Sequence, residues 1–237
     1  HHQKSTYKIA ELNLDTDTAF LEQTSTSGYT QALREKDITI QDTLRTKTIQ
    51  PGETPIQATL AEMTVSDTIT GYLQFDYPSD TTPVENEFDD PLPPVEIDTT
   101  GLFFTIPPSI DSQFVDETNN SEEYLAALHA TEHALISLFP TEVLCDRSDI
   151  GGLSTVTHSQ TTAATVFVHD GHPGGAGLTR AAFDQLDDLL TQTHQLIASC
   201  GCGDGCPSCI HSPQCGNANR ILNRDRALSL LSHLTGE

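Results

Sequence analysis

The sequence predicts a mixed chain of the α+β or α/β class, with a small β-barrel-like module followed by an α/β domain. Three observations predict it. Short β-rich runs separated by turn residues fill the first third of the chain. A proline- and acid-rich stretch then interrupts the pattern. Beyond it come helix-period segments and one dense cluster of cysteines. These divide the chain into a β-rich module at 1–77, a tether at 78–97 and a second domain at 98–237.

In the first segment Tyr7, Ile9, Leu12 and Leu14 nearly alternate, and 19–21, 38–40, 59–65 and 69–75 follow as apolar or β-branched runs. Turn residues at 15–17, 25–28 and 51–52 separate them, the spacing of a small barrel or sandwich. Residues 78–100 hold five prolines and seven acids and cannot supply a core. Leu102–Ile106 reads as a short strand ended by Pro107 and Pro108. The clearest helix spans 121–139: Ser121 caps it, Glu122 and Glu123 suit its first turn, and Pro140 stops it. Leu125, Leu128, Leu135, Ile136 and Phe139 give it an apolar face. The strand-like run 165–169 leads through a glycine-rich turn, 170–177, into a helix expected over 179–198. A last helix spans 225–234, with Asn223 as its cap.

Composition narrows the function. The 237 residues carry 34 acids against 11 lysines and arginines, for a net charge of −23. Such acidity ordinarily argues against nucleic acid. Here the acids are spread along the chain, basic residues are scarce throughout, and lysine is rarer than arginine. That pattern fits a halophilic cytosol, where molar salt cuts the Debye length to about 3 Å and net charge says little about partners. Apolar runs fall far short of the roughly 18 residues of a membrane span, and no charged-then-apolar leader opens the chain. A cytoplasmic protein without a membrane partner is therefore expected.

Five of the six cysteines lie close together: Cys200, Cys202, Cys206, Cys209 and Cys215. Interleaved glycines let the chain wrap tightly enough for four sulfurs to meet one ion, and 206–209 forms a chelating knuckle. One structural Zn2+ held by four thiolates is expected. The preferred set is Cys200, Cys202, Cys206 and Cys209, and the rival exchanges Cys215 for Cys200 or Cys202. Disulfides conflict with a reducing cytosol, and an iron–sulfur cluster would use the same ligands.

Three weaker signals accompany the cluster. His129, Glu132 and His133 spell H-x-x-E-H, a metallohydrolase motif when on a helix. No third ligand is evident, and the helix has a core to supply, so packing is the preferred reading. The turn containing Gly174, Gly175 and Gly177 precedes a helix, where backbone N–H groups can hold a phosphate. Arg147 lies between two acids, and Arg220, Arg224 and Arg226 form the basic cluster beyond the knuckle. These are the candidate contacts to a nucleic-acid backbone.

Taken together, 134–140, CDRSDIGGLS at 145–154, VFVHDGHPGGAGL at 166–178 and CGCGDGCPSCIHSPQCGNANRIL at 200–222 resemble the C-terminal zinc-binding domain of MrfA-like DEAD/DEAH-box helicases. Residues 7–31 resemble the β-rich connector that precedes it. The resemblance implies an ATP-dependent 3′–5′ DNA helicase context, in repair or antiphage defence, and four cysteines on Zn2+. No Walker A, DExH box or helicase arginine motif occurs in the chain. The expected role is thus a non-catalytic accessory region that positions single-stranded or forked DNA relative to a helicase core, in the same polypeptide or a separate subunit. In molar salt its DNA contacts would lean on hydrogen bonds and stacking, with His172 or Phe104 as aromatic candidates. The alternatives are a structural adaptor of a defence complex without DNA affinity and, less favoured, a zinc hydrolase.

Overall fold

The computed structural model describes residues 5–25, 28–76, 82–118 and 120–237. Strands β1 (Thr6–Asn13) and β2 (Thr18–Thr24) form a two-stranded antiparallel ribbon. Strands β3 (Tyr29–Ile49) and β4 (Ile56–Phe75) form a long hairpin. With β6 (Val95–Thr105), β8 (Thr165–Asp170) and β7 (Ile150–Thr155) they make one antiparallel sheet of order β3-β4-β6-β8-β7, and β5 (Val84–Glu87) pairs with the far end of β4. Among the described residues five α-helices complete the fold: α1 (Pro108–Thr118), α2 (Ser121–Glu142), α3 (Leu178–Phe183), α4 (Leu186–Ser199) and α5 (Arg224–Thr235).

The mixed α+β class stands, but in place of a small barrel there is an open sheet. The short runs at 38–40, 59–65 and 69–75 are pieces of two long strands. Register shifts at Leu33/Arg34, Ile40/Asp42 and Thr43/Arg45 break the two-residue alternation and disguise its continuity. The sheet also crosses the expected boundary at 78–97. β4 pairs with β6 from Ala58↔Phe104 to Asp67↔Val95, so the hairpin and the later strands share one ladder. The expected tether itself contains β5 and the start of β6, and its residues 78–81 lie outside the described residues.

Alternation along these strands separates two cores. Ala58, Leu60, Leu102, Phe104, Val166 and Val168 face the helices and join the principal core with Leu128, Leu135, Phe139, Leu189 and Leu231. The opposite face holds a smaller cluster of Ile38, Met63, Val65, Phe103 and Phe167. Gly52 lets the β3–β4 turn lie on the end of α5, because a Cβ there would meet the Thr235 and Gly236 backbone at 2.6 and 2.8 Å.

The helices depart from the sequence reading in four places. Pro108 opens α1, where its missing N–H costs nothing. Asn120, not Ser121, caps α2 by accepting from the Glu122 N–H. Pro140 sits in the last turn of α2 and leaves it unbroken to Glu142, with Val143 N–H closing on Phe139 O. The helix expected at 179–198 is split at Asp184 and Gln185. There Arg45 pairs with the Asp184 carboxylate at 2.7 Å and Lys47 donates to its carbonyl, tying the break to β3.

A shared ladder and core predict one cooperative thermal transition. Phe104→Ala, in a fully buried site between β4 and β8, should lower stability by about 3–5 kcal/mol and shift that whole transition. Two separate transitions in calorimetry would restore an independent β-rich module.

Candidate metal centre

Helix α4 ends at Ser199, and Cys200 caps it with its N–H on Ile197 O. The chain then folds back on itself. The Cys209 N–H closes a turn on Cys206 O at 3.0 Å, and the Cys206 N–H points at Cys209 Sγ at 3.3 Å. Gly205 has φ +109°, and a Cβ on it would strike Ile210 at 2.6 Å, so the turn demands glycine. Gly201 and Gly203 have open space around them, and at those positions the wrap does not depend on glycine.

This path brings four free thiols together. Sγ–Sγ distances are 3.5 Å for Cys200–Cys202, 3.6 Å for Cys200–Cys206, 3.5 Å for Cys202–Cys209 and 3.7 Å for Cys206–Cys209. Zn–S bonds of about 2.3 Å at tetrahedral angles place sulfurs about 3.8 Å apart. The cage therefore fits one zinc ion, and Cys200, Cys202, Cys206 and Cys209 are able to bind it. The Ser208 N–H bond brings the Cys206 thiol down to about 7, whereas burial pushes Cys209 up to about 12. An ion must displace protons to bind, so its hold strengthens as pH rises.

The cage is braced from three helices. Arg224, in the first turn of α5, donates to Ile197 O at 2.8 Å and to Cys200 O at 2.9 Å, closing the end of α4 over the first ligand. Ile210, fully buried beside the last ligand, accepts from His133 Nδ1 of α2 at 2.7 Å.

Cys215 lies apart from the cage, in a different cluster with His129 and His133. Its Sγ is 3.7 Å from His129 Nε2. Burial alone would raise this thiol, but the two histidines outweigh that and bring it down to about 6.

The expected nucleic-acid contacts are scattered and already engaged. The glycine-rich turn is a filled anion site. Asp170, fully buried at the end of β8, accepts from the N–H groups of Ala176, Gly177, Leu178 and Thr179. Gly174 N–H goes to Asp98 O and Gly175 N–H to His172 O, so the N–H groups of Gly174, Gly175 and Gly177 have no donor left for a phosphate. Arg147 bridges Ile150 O, Gln214 Oε1 and Ser212 Oγ. Arg224 belongs to the metal brace. Arg220 pairs with Glu85 at 2.7 Å and Arg226 with Glu123 at 3.0 Å, both partly exposed. Phe104 is buried and cannot stack on a base, while His172 is exposed against Asp149.

Sequence reasoning missed Asp170, whose place directly before the glycines is the signal that the turn has its own anion. It also missed Asn219, which closes the loop after the knuckle by bonding both the N–H and the carbonyl of Ser212.

Comparison with known proteins agrees with this geometry. Residues 131–210 match the family described as the MrfA Zn-binding domain. An uncharacterized protein of Methanocaldococcus jannaschii is 34% identical over 110 residues, which are 45% of this chain and 98% of the relative. The ATP-dependent helicase YprA of Bacillus subtilis is 26% identical over 236 residues, 99% of this chain, and the chain spans 29% of that protein's length. Among solved structures, the DUF1998 helicase MrfA bound to DNA shares the fold at TM-score 0.56 and 23% identity, over 98% of this chain and 29% of that one.

Cys209→Ser should abolish the ion held by this cage, read by metal analysis, with a lower melting temperature. Arg224→Ala leaves all four sulfurs in place but removes the brace on Cys200, and should weaken zinc about 10–100-fold in a competition titration with a chelating dye.

Proposed function

The chain belongs to the MrfA zinc-binding domain family, and from that premise we propose that it is the non-catalytic accessory region of an ATP-dependent DNA helicase. In this reading zinc makes the junction of α2, α4 and α5 rigid, and the rigid junction holds DNA in a fixed place relative to a helicase core. The observation that carries it is the position of Arg220 and Arg226, just past the metal loop. Their ion pairs are at the surface, where such pairs contribute little and exchange readily for phosphate. Arg147 and Arg224 serve in this reading as struts.

The helicase core is the proposed protein partner, and the β1–β2 ribbon is the proposed contact. Ile9, Leu12, Leu14, Phe20 and Leu21 are about half exposed on it. A two-stranded ribbon is marginal in water by itself, and a partner would cover those side chains. Single-stranded or forked DNA is the proposed nucleic acid, and repair or antiphage defence the proposed setting. The cytoplasm suits six cysteines that form no disulfide. Among the described residues no helix is long and apolar enough to cross a membrane. The acidic surface suits molar salt, where an accessory module holds DNA through short contacts more than long-range attraction.

The adaptor alternative has one observation in its favour: each proposed DNA-contacting arginine already has a partner within the chain. Fluorescence anisotropy with labelled single-stranded and forked DNA, across a salt series, separates the two. The accessory reading expects binding, and a fall of about 1 in the log–log salt slope for each of Arg220→Ala and Arg226→Ala. Retained docking to a helicase core with no DNA affinity would favour the adaptor. ATP hydrolysis by the chain alone would contradict both.

A further inference from the structure

His129 and His133 stand one turn apart on α2, with ring centroids 4.4 Å apart. Each ring has its Nδ1 against a backbone carbonyl: His129 on Ile221 O at 3.1 Å and His133 on Ile210 O at 2.7 Å. A carbonyl only accepts, so each Nδ1 carries the proton. In the neutral ring each Nε2 then keeps a lone pair, the tautomer and outer bond that metal-binding histidines use. Cys215 Sγ lies 3.7 Å from His129 Nε2. Tetrahedral Zn–N and Zn–S bonds of about 2.1 and 2.3 Å put those atoms about 3.6 Å apart. One ligand atom from each of His129, His133 and Cys215 lies within 4.8 Å of the others.

We propose that His129, His133 and Cys215 form a second metal site, selective for a zinc-like divalent cation, with a fourth position open to a neighbouring cavity. Two imidazoles and one thiolate suit zinc, and three protein ligands with one vacancy are the layout of an exchangeable site rather than a closed structural one. The cavity holds about 600 Å³ and is lined by all three ligands together with the cations Arg34, Lys36 and Arg147 and the carboxylates Asp67 and Glu132. Two neutral rings, one thiolate and a dication leave a net positive centre, and the three cations of the lining outnumber its two carboxylates, of which Asp67 pairs with Arg34 at 2.8 Å. The class of ligand that suits the fourth position is therefore an anionic oxygen, such as phosphate. Glu132, on the same face of α2, is held by Ser154 Oγ at 2.8 Å. A Cβ on Gly152 would meet Glu132 Oε1 at 2.6 Å, so the glycine of β7 is what lets this carboxylate sit there.

The test is metal content of the 237-residue chain after saturation with zinc and removal of excess by gel filtration. Two ions per chain are expected. Cys215→Ser and His129→Ala should each retain one, with unchanged circular dichroism. One ion in the parent chain, or two retained in both variants, overturns the site. X-ray absorption on the zinc of the parent chain decides even where a variant does not fold: nitrogen as well as sulfur neighbours are expected, and a pure sulfur shell overturns the proposal. On the cobalt-substituted chain, inorganic phosphate should shift the visible bands, and the shift should be absent in Cys215→Ser. A spectrum indifferent to phosphate contradicts the open position.

Discussion

Four thiolates confined to the end of one helix repel one another unless a cation neutralises them, and the C-terminal third is arranged around that requirement. The cage follows directly on α4, its first ligand being the helix cap. It ends at a buried isoleucine whose carbonyl is held from α2. The first turn of α5 then reaches back through Arg224 to the carbonyl of the first ligand. An ion in the cage thus fixes the relation of three helices, and those helices cover the face of the sheet that carries the principal core. Local coordination chemistry becomes tertiary order through a few hydrogen bonds to ligand backbone.

With 34 acids against 11 basic side chains, cations are scarce, and several serve as internal struts. Arg45 and Lys47 pin the break between α3 and α4, Arg147 ties the start of β7 to the loop after the knuckle, and Arg224 closes the cage. Abundant carboxylates have taken over a task that elsewhere falls to a bound anion: Asp170 fills the ring of N–H groups at the start of α3. A glycine-rich strand-to-helix turn is therefore a phosphate site only where no carboxylate of the chain reaches it first.

The metal cage was legible because its spacing is local: four ligands within ten residues can meet without help from the rest of the fold. Helix α5 and its Asn223 cap were legible for the same reason. What escaped depends on distant partners or on a shifted period. Bulges in β3 hid its length, and pairing of β4 with β6 across the acidic stretch is a ladder no local pattern announces. Cys215 sits close to the knuckle in sequence, which made it a rival ligand. Its true neighbours, His129 and His133, lie more than eighty residues earlier. The H-x-x-E-H motif lacked a third ligand in sequence for the same reason that folding supplies one.

Hydrogen exchange on the chain with zinc bound, and again after chelation, reads the effect of the cage on the helices around it. If the thiolate cage organises the junction, removing the ion should abolish protection across the end of α4 and the start of α5 while the amides of β6 and β8 stay protected. Unchanged protection of α4 and α5 in demonstrably metal-free protein would contradict the account.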